Sequence, residues 1–127
     1  MSTWRRKAIE QIPQMRNVIE SSDSPGSLWA ELTDAFKDGI ESENNELAKN
    51  ILKYATWCAS DEAGDKSSET QQAVYCGFLE SITYNQKYFP LFKKWFNPDQ
   101  FVKYKGSFLY ALGEKSFKEL EDIYYAR

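Results

Sequence analysis

Histidine is absent from the 127 residues, which removes the commonest general base, the usual activator of a nucleophile and the commonest metal ligand together. Catalytic triads, imidazole dyads and mixed zinc sites are excluded with it. Glycine is scarce too: the six residues are isolated, and none opens a helix in GxxxxGK or GxGxxG form, so no loop is built to cradle phosphate. The two cysteines, Cys58 and Cys76, cannot make a four-thiolate zinc site, and they lie apart without the paired spacing such sites use. Both fall among apolar residues of expected helices and read as reduced core thiols, with a disulfide between them as the lesser alternative. No apolar run approaches the length of a membrane span, and MSTWRRKAIEQ carries basic residues with no apolar stretch behind them, so a soluble, cytoplasmic chain without a secretion signal is expected. DEAGD, the nearest approach to a calcium loop, lacks the alternating DxDxDG ligands and the distal glutamate. No metal and no cofactor are expected, and sustained period-two alternation is missing, which argues against strands.

The stretch Asn45 to Ser60 organises what is present. Leu47, Ile51, Tyr54, Ala55 and Cys58 recur at three- and four-residue steps, and Leu52, Trp57 and Ala59 widen the stripe, so this helix needs neighbours on more than one side. Twenty residues are Phe, Tyr or Trp, which predicts a core built on large rings. The chain reads as a single all-α domain over residues 1–127, a bundle or short array of about six to seven antiparallel helices, some short and interrupted by proline.

Local signals divide these helices. Thr3 is placed to cap the first, which Pro13 ends or kinks at Ile12. Ser24–Pro25 and Asn97–Pro98 read as cap plus first helical residue. Between Gln71 and Thr83 another helix offers Val74, Tyr75, Phe78, Leu79 and Ile82 on one side, with Gly77 suggesting close approach to a neighbour. The helix from Asn97 is expected to be interrupted at Gly106 and to end at Gly113; the last should open at Ser116, spaced with Glu119 as a capping box, and bury Phe117, Leu120 and either Ile123 or Tyr124.

Net charge is −3, but its distribution matters more. Residues 20–69 hold twelve carboxylates against four lysines, net −8, between ends of net +3 and +2. In the helix after Pro25, Trp29, Leu32, Phe36 and Ile40 share one side of the wheel while Glu31, Asp34, Asp38 and Glu41 share the other. Glu43 and Glu46 continue the acidic ridge, and the following linker adds Asp61, Glu62, Asp65 and Glu69. A solvated helix face would look like this. One sign shared by ridge, helix start and loop would also steer a basic protein partner, so Glu31, Asp34, Asp38, Glu41, Glu43, Glu46, Asp61, Glu62 and Asp65 are the candidate contact residues.

Residues 84–105 interleave Tyr84, Tyr88, Phe89, Phe92, Trp95, Phe96, Phe101 and Tyr104 with Lys87, Lys93, Lys94, Lys103 and Lys105. Exposed rings and lysines would suit single-stranded nucleic acid; buried rings would be core, the favoured reading in a helical protein without a nucleic-acid motif.

Trp4-Arg5-Arg6, Ile12-Pro13, Ser24-Pro25 with Leu28-Trp29, Tyr54-Ala55 with Trp57-Cys58, and Trp95-Phe96 together span most of the chain. In these features it resembles a family of small helical bacterial proteins, mostly uncharacterised, whose members include cognate immunity proteins of contact-dependent toxin systems. The resemblance implies a helical fold and a non-catalytic inhibitor that neutralises a toxin, here read as a nuclease; the domain is expected to be monomeric when free. The acidic block adds that such a toxin would be basic, as an RNase is. A helical scaffold or adaptor and a single-stranded nucleic-acid binder acting through residues 84–105 are the alternatives, and an enzyme relying on carboxylates ranks below them.

Overall fold

In the computed structural model residues 2–64 and 68–126 are described. Among them the fold is all-α, with seven α-helices and no strand. The chain divides into two units, Met1–Phe78 and Leu79–Arg127, and each has its own helices and aromatic contacts.

In the first unit α1 (Thr3–Gln11) ends where expected: Ile12 leaves helical space at φ −129° and ψ 63°, and Pro13 opens a 3-10 turn, Pro13–Met15, leading into α2 (Arg16–Ser21). The capping position of α1 is Ser2, one residue before the expected Thr3, and no side-chain bond closes it. α3 (Pro25–Glu41) starts on a capping box in which Ser24 Oγ accepts from Ser27 N at 3.1 Å and Ser24 N donates back to Ser27 Oγ at 3.1 Å. Two otherwise unsatisfied donors are paired this way, and Pro25 has no third to offer.

α4 (Asn45–Cys58) packs against both α3 and α1, the two-sided neighbourhood its apolar pattern requires. Ile51, Tyr54, Ala55 and Cys58 are buried. Leu47, expected inside, is half-buried, and Ala48 beside it takes the inner position. The centre is aromatic: Trp29 stacks on Tyr54 at 5.5 Å and meets Phe78 at 4.9 Å, while Phe36 meets Phe78 edge-on at 5.1 Å. The Tyr54 hydroxyl donates to the Trp4 carbonyl at 2.9 Å, tying α4 to α1. Burial pushes the Cys58 thiol up to about 12 and raises the Tyr54 phenol as well, so both stay protonated and unreactive at neutral pH.

The expected helix after Gln71 is a composite. α5 (Glu69–Gln72) passes into a π-helix, Ala73–Leu79, and a 3-10 turn, Ser81–Thr83, follows. Bonding five residues back changes the side-chain register. Val74 and Phe78 face inward, and Gly77 lies beside Trp29, where an added Cβ would sit 3.8 Å from the Trp29 Cβ. Cys76, two positions from both Val74 and Phe78, lies at the surface and not in the core, because residues two apart on a helix point to different sides.

In the second unit a 3-10 segment, Gln86–Leu91, and α6 (Phe92–Trp95) precede α7 (Pro98–Tyr125). Asn97 and Gln100 form the capping box that opens α7. α7 continues through Gly106, contrary to expectation, and breaks only at Gly113, whose φ of 79° and ψ of 167° suit glycine alone. The final helical stretch begins directly after that residue, ahead of the expected Ser116 start; Phe117, Leu120 and Tyr124 are buried, whereas Ile123 is 39% exposed. Phe92, Phe96, Tyr104 and Phe108 interlock edge-on, Phe101 stacks on Tyr124 at 3.9 Å, and the Tyr124 hydroxyl donates to the Phe96 carbonyl at 2.7 Å. Among the described residues no helix is long and apolar enough to cross a membrane.

Candidate protein-binding face

α3 separates its two sides cleanly. Trp29, Leu32 and Phe36 are buried and Ile40 is half-buried, while Glu31, Asp34, Asp38 and Glu41 are all exposed. The ten helical steps from Glu31 to Glu41 span about 15 Å. The ion pairs among the described residues, Lys7–Glu10, Arg16–Glu20 and Lys118–Asp122, include none of these carboxylates. Lys37, the single cation of α3, is half-buried. A row of exposed carboxylates on a rigid helix projects a negative potential that a loop could not hold as steadily.

The ridge continues over a tight link. Ser42 N donates to Asp38 O at 2.9 Å and Asn44 N to Gly39 O at 2.7 Å, closing the end of α3. Asn44 Oδ1 then accepts from Leu47 N at 3.3 Å to cap α4. Glu43 takes the left-handed conformation this turn requires, φ 60°, and is exposed. Glu46 lies in the first turn of α4 and is exposed, where a carboxylate is favoured by the helix dipole.

Asp61 and Glu62 are exposed on a 3-10 turn, Asp61–Ala63. Gln71, only 2% exposed, steadies this turn from beneath: its Nε2 donates to the carbonyls of Ser60 at 3.0 Å and Gly64 at 2.7 Å. Burial, and then the Asp61 carboxylate, raise the Tyr75 phenol above its ordinary value. Most of α4, about 18 Å of helix from Glu46 to Cys58, separates Glu46 from Asp61 along the chain. The acidic block therefore occupies a helix ridge with its link, and a separate turn. Asp65 lies outside the described residues.

The aromatic segment does not provide a stacking platform. Tyr88, Phe89, Phe92, Phe96, Phe101 and Tyr104 are buried, Trp95 is half-buried, and Tyr84 alone of that set is exposed, at 66%. Lys87, Lys93, Lys94, Lys103 and Lys105 are at the surface. Lys93 donates to the Ala126 carbonyl and Lys105 lies over the Phe117 ring at 5.8 Å. Among the described residues no group of three Cys, Asp or Glu side chains is arranged to hold a metal ion.

One acidic residue near the ridge was not singled out by periodicity. Asp23 sits in the bend between α2 and α3, and with Val18, Ser21, Ser22, Ser27 and Glu31 it lines a cavity of about 280 Å³. Its only signal in the sequence is membership of the turn SSDSPGS.

The chain belongs to the DUF7674 family, a domain of unknown function, whose model matches residues 5–110. No curated protein and no solved structure matches it.

Proposed function

We propose that this DUF7674 chain is a non-catalytic protein-binding domain, and specifically an immunity protein that neutralises a basic nuclease toxin, an RNase, in the cytoplasm. The observation that supports the reading is the α3 ridge: Glu31, Asp34, Asp38 and Glu41 are exposed and outside the ion pairs among the described residues. A nuclease cleft is cationic because it binds phosphate, and carboxylates on a rigid helix can occupy that cleft in place of the nucleic-acid backbone. Inhibition of this kind needs no catalytic residue, cofactor or metal in the inhibitor. The resemblance to a family of small helical bacterial proteins whose members include immunity proteins points the same way.

The test is co-expression with a basic nuclease domain encoded by the adjacent reading frame, followed by stopped-flow association at several salt concentrations. Reversing Asp34 and Asp38 together to lysine should slow association at least about tenfold at low salt, with the difference shrinking as salt rises. An unchanged rate and affinity would reduce the ridge to a solvated helix face. A second reading, a helical adaptor for another protein, draws on exposed Val102 at 63% and Tyr110 at 81%, two turns apart on α7. In that case the ridge reversal has no effect and Tyr110→Ala weakens binding.

A further inference from the structure

The cavity beside Asp23 has a chemistry that the ridge alone does not. Its hydroxyls have committed their protons to the backbone: Ser21 Oγ and Ser22 Oγ both donate to the Val18 carbonyl, at 3.0 and 2.9 Å, and Ser27 Oγ donates to the Ser24 carbonyl at 3.1 Å. A carbonyl can only accept, so these hydroxyls have no proton left for a ligand, and Ser21 and Ser22 offer it lone pairs. Asp23 and Glu31 add two carboxylates outside the ion pairs among the described residues. The polar lining is therefore built from acceptors, with Val18 as an apolar wall.

The two carboxylates disfavour an anion here even though α3 begins nearby. The Ser27 amide is taken by Ser24 Oγ, the Ser24 amide by Ser27 Oγ, and Pro25 has none. Arg5 does not line the cavity; its guanidinium bonds the Ile19 and Ser22 carbonyls. What fits is a cationic group rich in donors on an apolar stem, and guanidinium, with five N–H groups in a planar fork, meets several acceptors better than an ammonium does.

We propose that this cavity between α2 and α3 seats an arginine side chain of the basic protein partner. The proposal rests on the partner reading above. It also gives Glu31 two roles, as the end of the ridge and as one wall of the cavity. Arginine is one of the residues enriched in binding hot spots, and a charge pair desolvated in a pocket governs dissociation while the exposed ridge governs encounter.

Two measurements test it. In the first, Nα-acetyl-arginine amide is titrated into the ¹⁵N-labelled chain, with the isosteric neutral citrulline amide as control. Saturable shifts at the Ser21, Ser22 and Ser27 amides, with a dissociation constant of about 1–10 mM, are expected for the arginine compound and should vanish in Asp23→Asn. No saturation, equal shifts with citrulline, or shifts spread along Asp34 and Asp38 would overturn the proposal. In the second, Asp23→Asn should raise the dissociation rate from the nuclease domain about tenfold with little change in association rate. If ridge reversal slows association while Asp23→Asn leaves dissociation unchanged, the cavity proposal falls and the partner reading survives. If neither variant has an effect, the partner reading falls with it.

Discussion

Replacing Ile51 with alanine tests the architecture at its centre. Ile51 is fully buried on α4, the helix that packs on both α1 and α3. Removing its three outer carbons forfeits about 2.4 kcal/mol of transfer free energy at about 0.8 kcal/mol per carbon. The walls around the gap belong to helices held by the Trp29–Tyr54–Phe78 ring contacts and the Tyr54–Trp4 hydrogen bond, so they cannot fully collapse, and a cavity term brings the total to about 2–4 kcal/mol. Urea unfolding followed by tryptophan fluorescence is the appropriate assay, because Trp4, Trp29 and Trp57 all lie in the first unit. With a slope of about 1.5 kcal/mol/M, the midpoint should fall by about 2 M without a change in slope. Leu47→Ala, at a half-buried position of the same helix, should cost only about 1 kcal/mol. Equal costs at the two positions, or a cost below about 0.5 kcal/mol for Ile51→Ala, would show that the inner face of α4 has been misassigned.

Two glycines on α7 should respond in opposite directions. Gly106 is helical with nothing within 4 Å of an added Cβ, so Gly106→Ala should stabilise by about 0.5–1 kcal/mol; Gly113→Ala should destabilise by about 1–3 kcal/mol through backbone strain at φ 79°, read by thermal unfolding of both variants. Stability should also fall in alkali. The Cys58 thiol is raised from 9.0 to about 12 in the folded chain, so the unfolded state loses this proton first. Its contribution is complete below pH 9 and declines across pH 9–12 at about 1.4 kcal/mol per pH unit. Tyr54, raised by burial, acts in the same sense above about pH 10. Urea midpoints measured between pH 8 and 10 should therefore drop in the parent chain and stay nearly level in Cys58→Ala; matching declines would show that the thiol is not the source.

What the amino-acid order determined by itself is the set of features whose physics is local. Pro13 ends α1 by removing a donor and restricting Ile12, and the Ser24–Pro25 and Asn97–Pro98 pairs open α3 and α7 with side chains three residues away. Gly113 ends a helix because its backbone angles exclude other residues. The division of α3 into an apolar side and a carboxylate ridge is likewise legible, since helical periodicity alone puts Glu31, Asp34, Asp38 and Glu41 together.

Tertiary structure decided the features that depend on partners distant in sequence. Gly106 carries a helix straight through because the buried Phe101, Tyr104 and Phe108 flanking it hold α7 in place, and their packing exceeds a propensity cost of about 1 kcal/mol. Residues 73–79 take π-helical register, against the α pattern read from the sequence, and Cys76 faces outward while Phe78 meets Trp29 and Phe36. Composition could not say whether the rings of residues 84–104 faced water or one another, because an aromatic side chain satisfies either environment until its neighbours are known. The acceptor-lined cavity is partly of this kind: Asp23 and Glu31 become joint walls only when α2 and α3 pack, whereas the bonds that commit the Ser21 and Ser22 protons to the Val18 carbonyl are local to α2.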